Sequence, residues 1–299
     1  MASVRVGTCS WADKTMIRAW YPPEARSAES RLRHYASRFD TVEVDATFYG
    51  LPSSDNSRLW VARTPPSFTF HVKAYGLMTG HSVPENRLPQ SLKGYDYRVS
   101  RYGNVRDPAP DMLRETFQLF RGGIDPLRQA GKLGAILLQF PPYFTAKTPK
   151  AMQRNMSYIR ACRNHLDGYE VVVEFRHRSW LAPGIRDEVL GFLEALELGY
   201  VSVDAPRLDD DTVVPPVAAA TSRIGYVRFH GRNGETWNAK VSSAAERFKY
   251  LYSREDLSEW VDRVRYLEER TDRVYAMFNN CYGDYAPRNA LMFREMLQE

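Results

Sequence analysis

Eight short stretches of the chain alternate between apolar and polar residues. They are residues 4–9, 41–48, 68–74, 135–141, 170–176, 200–206, 224–231 and 274–280. Successive side chains of a β-strand point to opposite faces, so this alternation is typical of strands that present one face to a core. The chain is therefore predicted to contain eight strands.

Apolar residues with helical spacing fill most of the gaps between these strands. Helices are predicted over residues 27–39, 111–131, 186–199, 254–270 and 286–297. Regular alternation of strand and helix indicates a parallel sheet with helices outside, and eight such units in 299 residues favour closure of the sheet. The predicted fold is a closed eight-stranded parallel (β/α)8 barrel of the TIM type, forming a single domain over residues 1–299.

Most of the predicted strands have one apolar face and one face that becomes polar toward the carboxyl end. In the second strand, Val42 and Val44 share the apolar face, whereas Glu43 and Asp45 share the other. The corresponding polar faces of later strands carry His71 and Lys73, Glu174 and Arg176, Ser202 and Asp204, Arg228 and His230, and Asn279. The apolar faces are expected to meet the helices. The polar side chains should then converge inside the barrel at its carboxyl end, where barrel enzymes have their active sites.

Carboxylates and a histidine are the candidate catalytic groups of this mouth. They are Glu43, Glu174, Asp204 and His230. The same oxygen and nitrogen ligands would suit a divalent metal ion that activates water or polarises a substrate. The cations predicted on the same rim disfavour such an ion, and a satisfied network of ion pairs is the purely structural explanation for all these charges. The sequence leaves these alternatives open.

The basic residues of the mouth favour an anionic substrate. Arginine pairs with phosphate or carboxylate through two parallel hydrogen bonds, and lysine supplies a point charge. Gly231 and Gly234 follow the seventh strand, where such barrels often bind phosphate close to the backbone. The residues predicted to bind the substrate are Asp45, Lys73, His81, Gln139, Arg176, Arg228, Arg232 and Asn279.

Two long insertions are predicted at the mouth, at about residues 75–109 and 231–253. Loops of this length in a compact fold are commonly lids or binding loops. Both mix basic with aromatic residues, which suits the stacking of bases or sugars. Ordinary packing over the mouth explains each single aromatic residue equally well.

Composition changes this prediction little. The net charge of +5 is a mild basic bias, and no apolar stretch approaches the ~20 residues of a membrane span. The amino terminus has no apolar signal core, so a cytoplasmic protein without a membrane partner is expected. Cys9, Cys162 and Cys281 have no metal-binding or disulfide spacing, so structural thiols are predicted, although Cys9 and Cys281 should lie near each other.

Several motifs in this order resemble the YecE-like family, known as domain of unknown function 72. They are FDTVEVDATFYGLPS (39–53), TPPSFTFHVKA (64–74), LLQFPP (137–142), VVEFRHRSW (172–180), VRFHGR (227–232) and FNNCYGDYAPRNA (278–290). The resemblance spans nearly the whole chain and implies a TIM-type barrel, but it implies no established reaction. The chain differs from the family pattern at Asp45, where similar sequences often have Asn, and at Gly80, which separates Thr79 from His81.

Three functions are consistent with these features. The first is an enzyme that acts on a phosphate-bearing substrate, such as a phosphodiester hydrolase, in which carboxylates hold a metal or activate water. The second is a sugar or sugar-phosphate isomerase or lyase, in which Glu174 or His230 abstracts a proton. The third is a non-catalytic nucleic-acid-binding protein that uses the basic, aromatic insertions.

Overall fold

The protein forms a closed barrel of eight parallel strands, seen in a computed structural model that describes residues 3–241 and 243–299. The strands are β1 (Ser3–Thr8), β2 (Thr41–Val44), β3 (Thr69–Lys73), β4 (Leu133–Gln139), β5 (Val171–Glu174), β6 (Gly199–Asp204), β7 (Ile224–Phe229) and β8 (Arg273–Phe278). Each strand pairs with the next, and β8 pairs with β1, which closes the sheet. The predicted (β/α)8 barrel is therefore confirmed.

Helices lie between the strands. They are α1 (Lys14–Ala19), α2 (Ala28–Ala36), α3 (Ser54–Ala62), α4 (Pro110–Gln129), α5 (Pro149–His165), α6 (Arg186–Ala195), α7 (Ala244–Arg247), α8 (Arg254–Glu268) and α9 (Tyr285–Met296). The five predicted helices correspond to α2, α4, α6, α8 and α9. Within the described ranges, none of these helices combines the length and the apolar character needed to span a bilayer.

Local sequence signals explain where several helices begin. Ser27 and Ser253 each accept a hydrogen bond from the third residue of the helix that follows, and that residue's side chain accepts from the serine N–H. This reciprocal arrangement satisfies backbone donors that the first turn of a helix leaves without partners. Proline occupies the first position of α4 and α5, where no N–H is needed.

The insertion that follows β3 has its own structure. Val83–Pro84, Arg98–Val99 and Asn104–Arg106 form a small antiparallel sheet, and short 3-10 turns connect it to the barrel. Strands of two or three residues are too short to show a period in the sequence, which explains why this sheet was not predicted. The insertion reaches the mouth through Gly76–Thr79 and His81.

The register between β7 and β8 fixes which side chains point into the barrel. Arg228 is aligned with Met277, whereas Phe229 is aligned with Phe278. Phe229 stacks on Phe278 and contacts the rings of Trp260 on α8 and Phe293 on α9, so both phenylalanines face the helices. Because side chains alternate along a strand, Arg228 must point inward.

Candidate functional site

Arg228 lies at the centre of the barrel mouth, and its side chain is fully buried. Nη2 donates a hydrogen bond to Glu43 Oε1 on β2 at 2.6 Å, and Nη1 donates to Glu174 Oε2 on β5 at 2.6 Å. Nη1 also donates to Gln139 Oε1 at 3.3 Å, and Nη2 lies 3.5 Å from Asp45 Oδ1. One guanidinium thus joins side chains from four strands or strand ends that the sequence predicted to meet.

His230 extends this network toward β8. Its Nε2 lies 3.0 Å from Glu174 Oε1, and its Nδ1 lies 2.8 Å from Asn279 Nδ2. Because a carboxylate only accepts hydrogen bonds, the partners assign the proton to Nε2, so that Nδ1 accepts from Asn279. Arg176 Nη1 donates to Glu174 Oε1 at 3.1 Å and lies 3.2 Å from His230 Nε2.

The surroundings of Glu174 and His230 fix their charges. Burial opposes ionisation of Glu174, but Arg228 and His230 outweigh it and hold the pKa of this carboxyl well below its usual range. Burial lowers the pKa of His230 to about 4, even though Glu174 favours the protonated ring. Glu174 is therefore an anion and His230 a neutral ring at neutral pH, and each is engaged by its neighbours.

Glu43 is the carboxyl of the network whose pKa is raised, whereas the pKa of Glu174 is lowered. Its Oε2 accepts a hydrogen bond from the Tyr226 hydroxyl at 2.8 Å, while Oε1 accepts from Arg228. Burial raises the pKa of Glu43 to about 7; the positive charge of Arg228 opposes this rise and the negative charge of Asp45 adds to it. Glu43 is thus the buried group whose protonation changes near neutral pH.

This raised pKa predicts a pH-dependent stability. The folded state binds a proton on Glu43 more tightly than the unfolded chain does, so stability falls as pH rises from about 4.5 through 7. Over this range the wild type should lose on the order of 2–3 kcal/mol of unfolding free energy, and the Glu43→Gln variant should not show this loss. Urea unfolding at about pH 5 and pH 8 measures it, and parallel profiles of variant and wild type would contradict it.

Lys73 and Asp45 form the part of the mouth that stays open to solvent. Lys73 Nζ lies 3.4 Å from Asp45 Oδ1 and 4.8 Å from the centre of the Phe48 ring, and the two charged side chains are 11% and 27% exposed. Asp45 Oδ1 accepts no hydrogen bond from the residues that the structure describes. Burial opposes ionisation of Asp45, but Lys73 and Arg228 outweigh it and lower its pKa. Asp45 is therefore an accessible, ionised carboxylate beside a cation.

His81 approaches the same opening from the insertion that follows β3. Its Nδ1 lies 2.8 Å from Thr79 Oγ1, and its ring packs edge-on against Phe48 with 4.8 Å between centroids. Burial, together with the positive charges of Lys73 and Arg176, lowers the pKa of His81 to about 3. His81 is thus a neutral ring within electrostatic reach of both cations.

Aromatic residues of the insertion that follows β7 cover the other side of the mouth. The Arg176 guanidinium lies 4.9 Å from the centre of the Trp237 ring, and the ring of Phe248 stacks on His230 with 5.5 Å between centroids. His230 and Glu174 are almost completely shielded from solvent, whereas the Arg176 side chain is 13% exposed. The solvent-accessible cations of the mouth are therefore Lys73 and Arg176.

The prediction that Asp204 faces the barrel interior is wrong. Asp204 is aligned with Phe229, so it points outward, where its carboxylate accepts hydrogen bonds from Trp260 Nε1 at 2.9 Å and from the Tyr252 hydroxyl at 2.7 Å. Arg232, which the sequence placed on the mouth rim, donates to the same carboxylate at 3.0 Å and also pairs with acids of α8. Asp204 and Arg232 therefore fasten the loops beside β6 and β7 to α8.

The glycines that follow β7 do not form the predicted phosphate cradle. Gly231 has φ +86°, and its N–H donates to the Tyr252 hydroxyl at 2.8 Å, so this amide is already occupied. A Cβ on Gly231 would lie 2.8 Å from Tyr250 Cβ, and one on Gly234 would lie 3.1 Å from Leu208 Cδ2. Close packing of the insertion, together with the positive φ at Gly231, explains these residues.

The residues predicted as metal ligands do not fit a divalent ion. Glu43 and Glu174 are both paired with Arg228, and Asp204 lies on the outer face. Across residues 3–241 and 243–299, no cluster of three His, Cys, Asp or Glu side chains has a metal-binding arrangement. The Arg228 guanidinium occupies the position between the two carboxylates that a metal ion would need.

Sequence reasoning missed some contributors to the site. Tyr226 precedes Arg228 by two residues, so the parity that placed Arg228 inside the barrel already indicated it. Phe48 and Thr79 lie in the short 3-10 turns Asp45–Phe48 and Gly76–Thr79, where no strand or helix period applies. Burial raises the thiol pKa of Cys9 and of Cys281, in keeping with the predicted structural role of these thiols.

Comparison with known proteins identifies similar chains that match this one over nearly their whole length. A family model described as "Protein of unknown function DUF72" matches residues 5–299. The UPF0759 protein YunF of Bacillus subtilis is 30% identical over 297 residues, covering 98% of this chain and 94% of that protein. A solved DUF72 family protein from Thermotoga maritima is 31% identical with a TM-score of 0.77 and 99% of each chain covered. One from Enterococcus faecalis is 25% identical with a TM-score of 0.78, covering 99% of this chain and 96% of that chain.

Proposed function

This chain belongs to the DUF72 family, and from that premise we propose that it is an enzyme that binds a small phosphate- or carboxylate-bearing substrate in the barrel mouth and transfers a proton on it. Isomerase or lyase chemistry suits the site better than metal-dependent hydrolysis of a phosphodiester. The reason is that Arg228 already engages Glu43 and Glu174, while Asp204 lies on the other side of the sheet.

One observation carries the proposal. Lys73 and Arg176 keep part of their surface open, and both lie within electrostatic reach of the neutral His81 ring. Two cations whose side chains are only 11% and 13% exposed attract an anion more strongly than fully hydrated ones would, because fewer waters compete with the interaction. The buried network beneath them holds Arg176 in place through Glu174.

Asp45 and His81 are the proton-transferring groups in this proposal. Asp45 is ionised and partly exposed, so it is available to remove a proton from a carbon next to a carbonyl, and its lowered pKa makes it a weaker base than an ordinary carboxylate. Lys73 and Arg176 would stabilise the negative charge that develops on the carbonyl oxygen. Burial and, to a smaller extent, the charges of Lys73 and Arg176 keep His81 neutral; a bound anion would offset these charges, which raises the pKa of the ring toward that of a proton donor.

Anion binding can be tested with inorganic phosphate. We expect phosphate to bind the wild type with heat measurable by titration calorimetry, and Lys73→Met to weaken this binding at least about tenfold, or ~1.4 kcal/mol. Lys93→Met is the matched control, because Lys93 is exposed on the insertion that follows β3. Equal affinities in wild type and Lys73→Met, with both proteins folded, would place the anion elsewhere.

Proton transfer can be tested by isotope exchange. In D₂O, a panel of keto-sugar phosphates and keto acids is followed by proton NMR, and at least one compound is expected to incorporate deuterium next to its carbonyl. Asp45→Asn should abolish the exchange while phosphate still binds, because the amide keeps the shape of the side chain but is not a base. Release of inorganic phosphate without deuterium incorporation would favour hydrolysis instead.

A further inference from the structure

Two tyrosine rings are exposed at the edge of the barrel mouth. Tyr49 comes directly after the 3-10 turn Asp45–Phe48, and Tyr143 lies in the loop between β4 and α5. Each of these residues is 58% exposed. Both loops lie at the carboxyl end of the barrel, which is the end that carries Lys73 and Arg176. A mouth that bound only a phosphate or a short acid would leave these two apolar surfaces in water.

The ring of Tyr143 is held in place although it is exposed. Its hydroxyl donates a hydrogen bond to the Gly80 carbonyl at 2.7 Å. The neighbouring Phe144 stacks on Phe140 with 4.2 Å between centroids, and its N–H donates to the Pro141 carbonyl at 2.9 Å. Because the hydroxyl and the loop are both fixed, a ligand that covers this ring needs to order little of the protein.

Contacts through Phe48 and His81 connect both tyrosines to the cations of the mouth. The ring of Tyr49 packs edge-on against Phe48 with 5.1 Å between centroids. The same Phe48 ring lies 4.8 Å from Lys73 Nζ and 4.8 Å from the centre of the His81 ring. The carbonyl that anchors Tyr143 belongs to the residue before His81. The two exposed rings therefore border the part of the mouth that is expected to bind the anion.

The chemistry of these rings points to a sugar. The face of an aromatic ring is negative, so it attracts the positive C–H groups of another molecule. One side of a sugar ring offers such C–H groups, while its hydroxyl groups remain in contact with water or with polar side chains such as the partly exposed Asp45. A phosphate ester on the same molecule would pair with Lys73 and Arg176. The open-chain form of a sugar also offers the carbon next to a carbonyl that the proposed proton transfer requires.

We propose that the mouth selects a sugar phosphate, whose C–H face lies on Tyr49 and Tyr143 while its phosphate pairs with Lys73 and Arg176. This inference rests on the proposed function and narrows its substrate class. A linear keto acid would leave both rings uncovered. A nucleoside monophosphate would cover them with its base, but the glycosidic bond locks its sugar in the ring form, so that it offers no carbonyl.

The substrate class is tested by titration calorimetry with matched phosphate monoesters. Glycerol phosphate carries the phosphate without a ring, whereas ribose, glucose and fructose phosphorylated on the terminal carbon add the sugar. We expect at least one of these sugar phosphates to bind the wild type at least about tenfold more tightly than glycerol phosphate. Equal affinities would overturn the inference. Tighter binding of uridine monophosphate than of every sugar phosphate would also overturn it, because the rings would then bind a base.

The role of the tyrosines is tested with variants. Tyr49→Ala and Tyr143→Ala should each weaken the sugar phosphate about threefold to tenfold and leave the affinity for glycerol phosphate unchanged, because only the sugar touches the rings. Tyr266→Ala is the matched control, since Tyr266 is 40% exposed near the end of α8, close to the start of β8 and thus at the amino end of the barrel. Equal weakening of both ligands would show that the tyrosines shape the loops without touching the sugar, and would refute the inference.

Failure of this inference can be distinguished from failure of the proposed function. If the wild type binds glycerol phosphate but gains nothing from the sugar, the substrate class is wrong and the anion site remains. If the folded wild type binds neither inorganic phosphate nor any of the phosphate monoesters, the proposed function is wrong and the inference is refuted with it.

Discussion

Arg228→Met is expected to lower the free energy of unfolding by about 3–5 kcal/mol. Arg228 is fully buried and pairs with Glu43 and Glu174, each at 2.6 Å. Without the guanidinium, Glu174 would keep only Arg176 and His230 as partners. Glu43, whose pKa is raised even beside Arg228, would have to take up a proton to stay buried. Removing one member of a buried ion network costs more than forming it gains, because the remaining charges cannot return to water.

Urea unfolding at neutral pH measures this loss, with Arg98→Met as the control, since Arg98 is exposed and pairs with a single surface acid. The loss should shrink at acidic pH. In the variant, burial raises the folded-state pKa of both carboxyls above the unfolded value, so protonation restores stability as pH falls. A loss under about 1 kcal/mol, or one that grows on acidification, would show that the network is not a major source of stability.

A compensating variant separates lost charge pairing from lost packing. Adding Glu43→Gln and Glu174→Gln to Arg228→Met removes the uncompensated charges and keeps side chains of similar size. We expect this triple variant to recover part of the stability that Arg228→Met loses. No recovery would indicate that packing around the Arg228 side chain, rather than its charge, holds this part of the barrel together.

The barrel could be predicted from the sequence because its signals are repeated and independent. Several strands, such as residues 41–44 or 199–204, alternate over several residues, and a strand–helix unit that recurs along the chain indicates a parallel sheet. Helix α5 was harder to recognise, because the buried face that carries Met152 and Ile159 also carries the polar residue Asn155. That asparagine hydrogen-bonds to the backbone of Thr145, a partner that no local pattern reveals.

Parity separates the two faces of a strand but does not say which face is inside. For β2, β5 and β7 the polar face points inward, and Glu43, Glu174 and Arg228 meet as predicted. For β6 the same reasoning failed, because Ser202 and Asp204 are on the outer face and Val201 and Val203 point inward. The polar partners that make an outward Asp204 favourable, Trp260 and Arg232, come from distant parts of the chain.

The sequence also could not reveal which side chains of the network are shielded from solvent. Glu174, Arg228 and His230 pair with one another and are nearly inaccessible to solvent. The solvent-exposed charged side chains of the mouth are instead their neighbours Asp45, Lys73 and Arg176. Exposure depends on what covers a side chain. Here the cover is Trp237 and Phe248 of the insertion that follows β7, packed on Arg176 and His230.

Asp204→Ala is expected to lower the free energy of unfolding by about 3 kcal/mol. The Asp204 carboxylate is fully buried and accepts from Trp260 Nε1, the Tyr252 hydroxyl and Arg232. Its removal leaves two buried neutral donors without an acceptor, each at a cost of about 1–3 kcal/mol. Arg232 keeps its pairs with Asp256 and Glu259, which limits the loss.

Phosphate affinity separates this structural role from the catalytic role that the sequence suggested. If Asp204 only fastens loops to α8, the folded variant should bind phosphate with wild-type affinity, in contrast to Lys73→Met. Asp55→Ala is the control for stability, because Asp55 is an exposed acid on α3 that pairs with the exposed Arg58, and it should change the unfolding free energy by less than about 0.5 kcal/mol. An outward-facing Asp204 cannot contact the anion directly. If the folded Asp204→Ala protein binds phosphate at least about tenfold more weakly than the wild type, Asp204 must therefore contribute to the mouth.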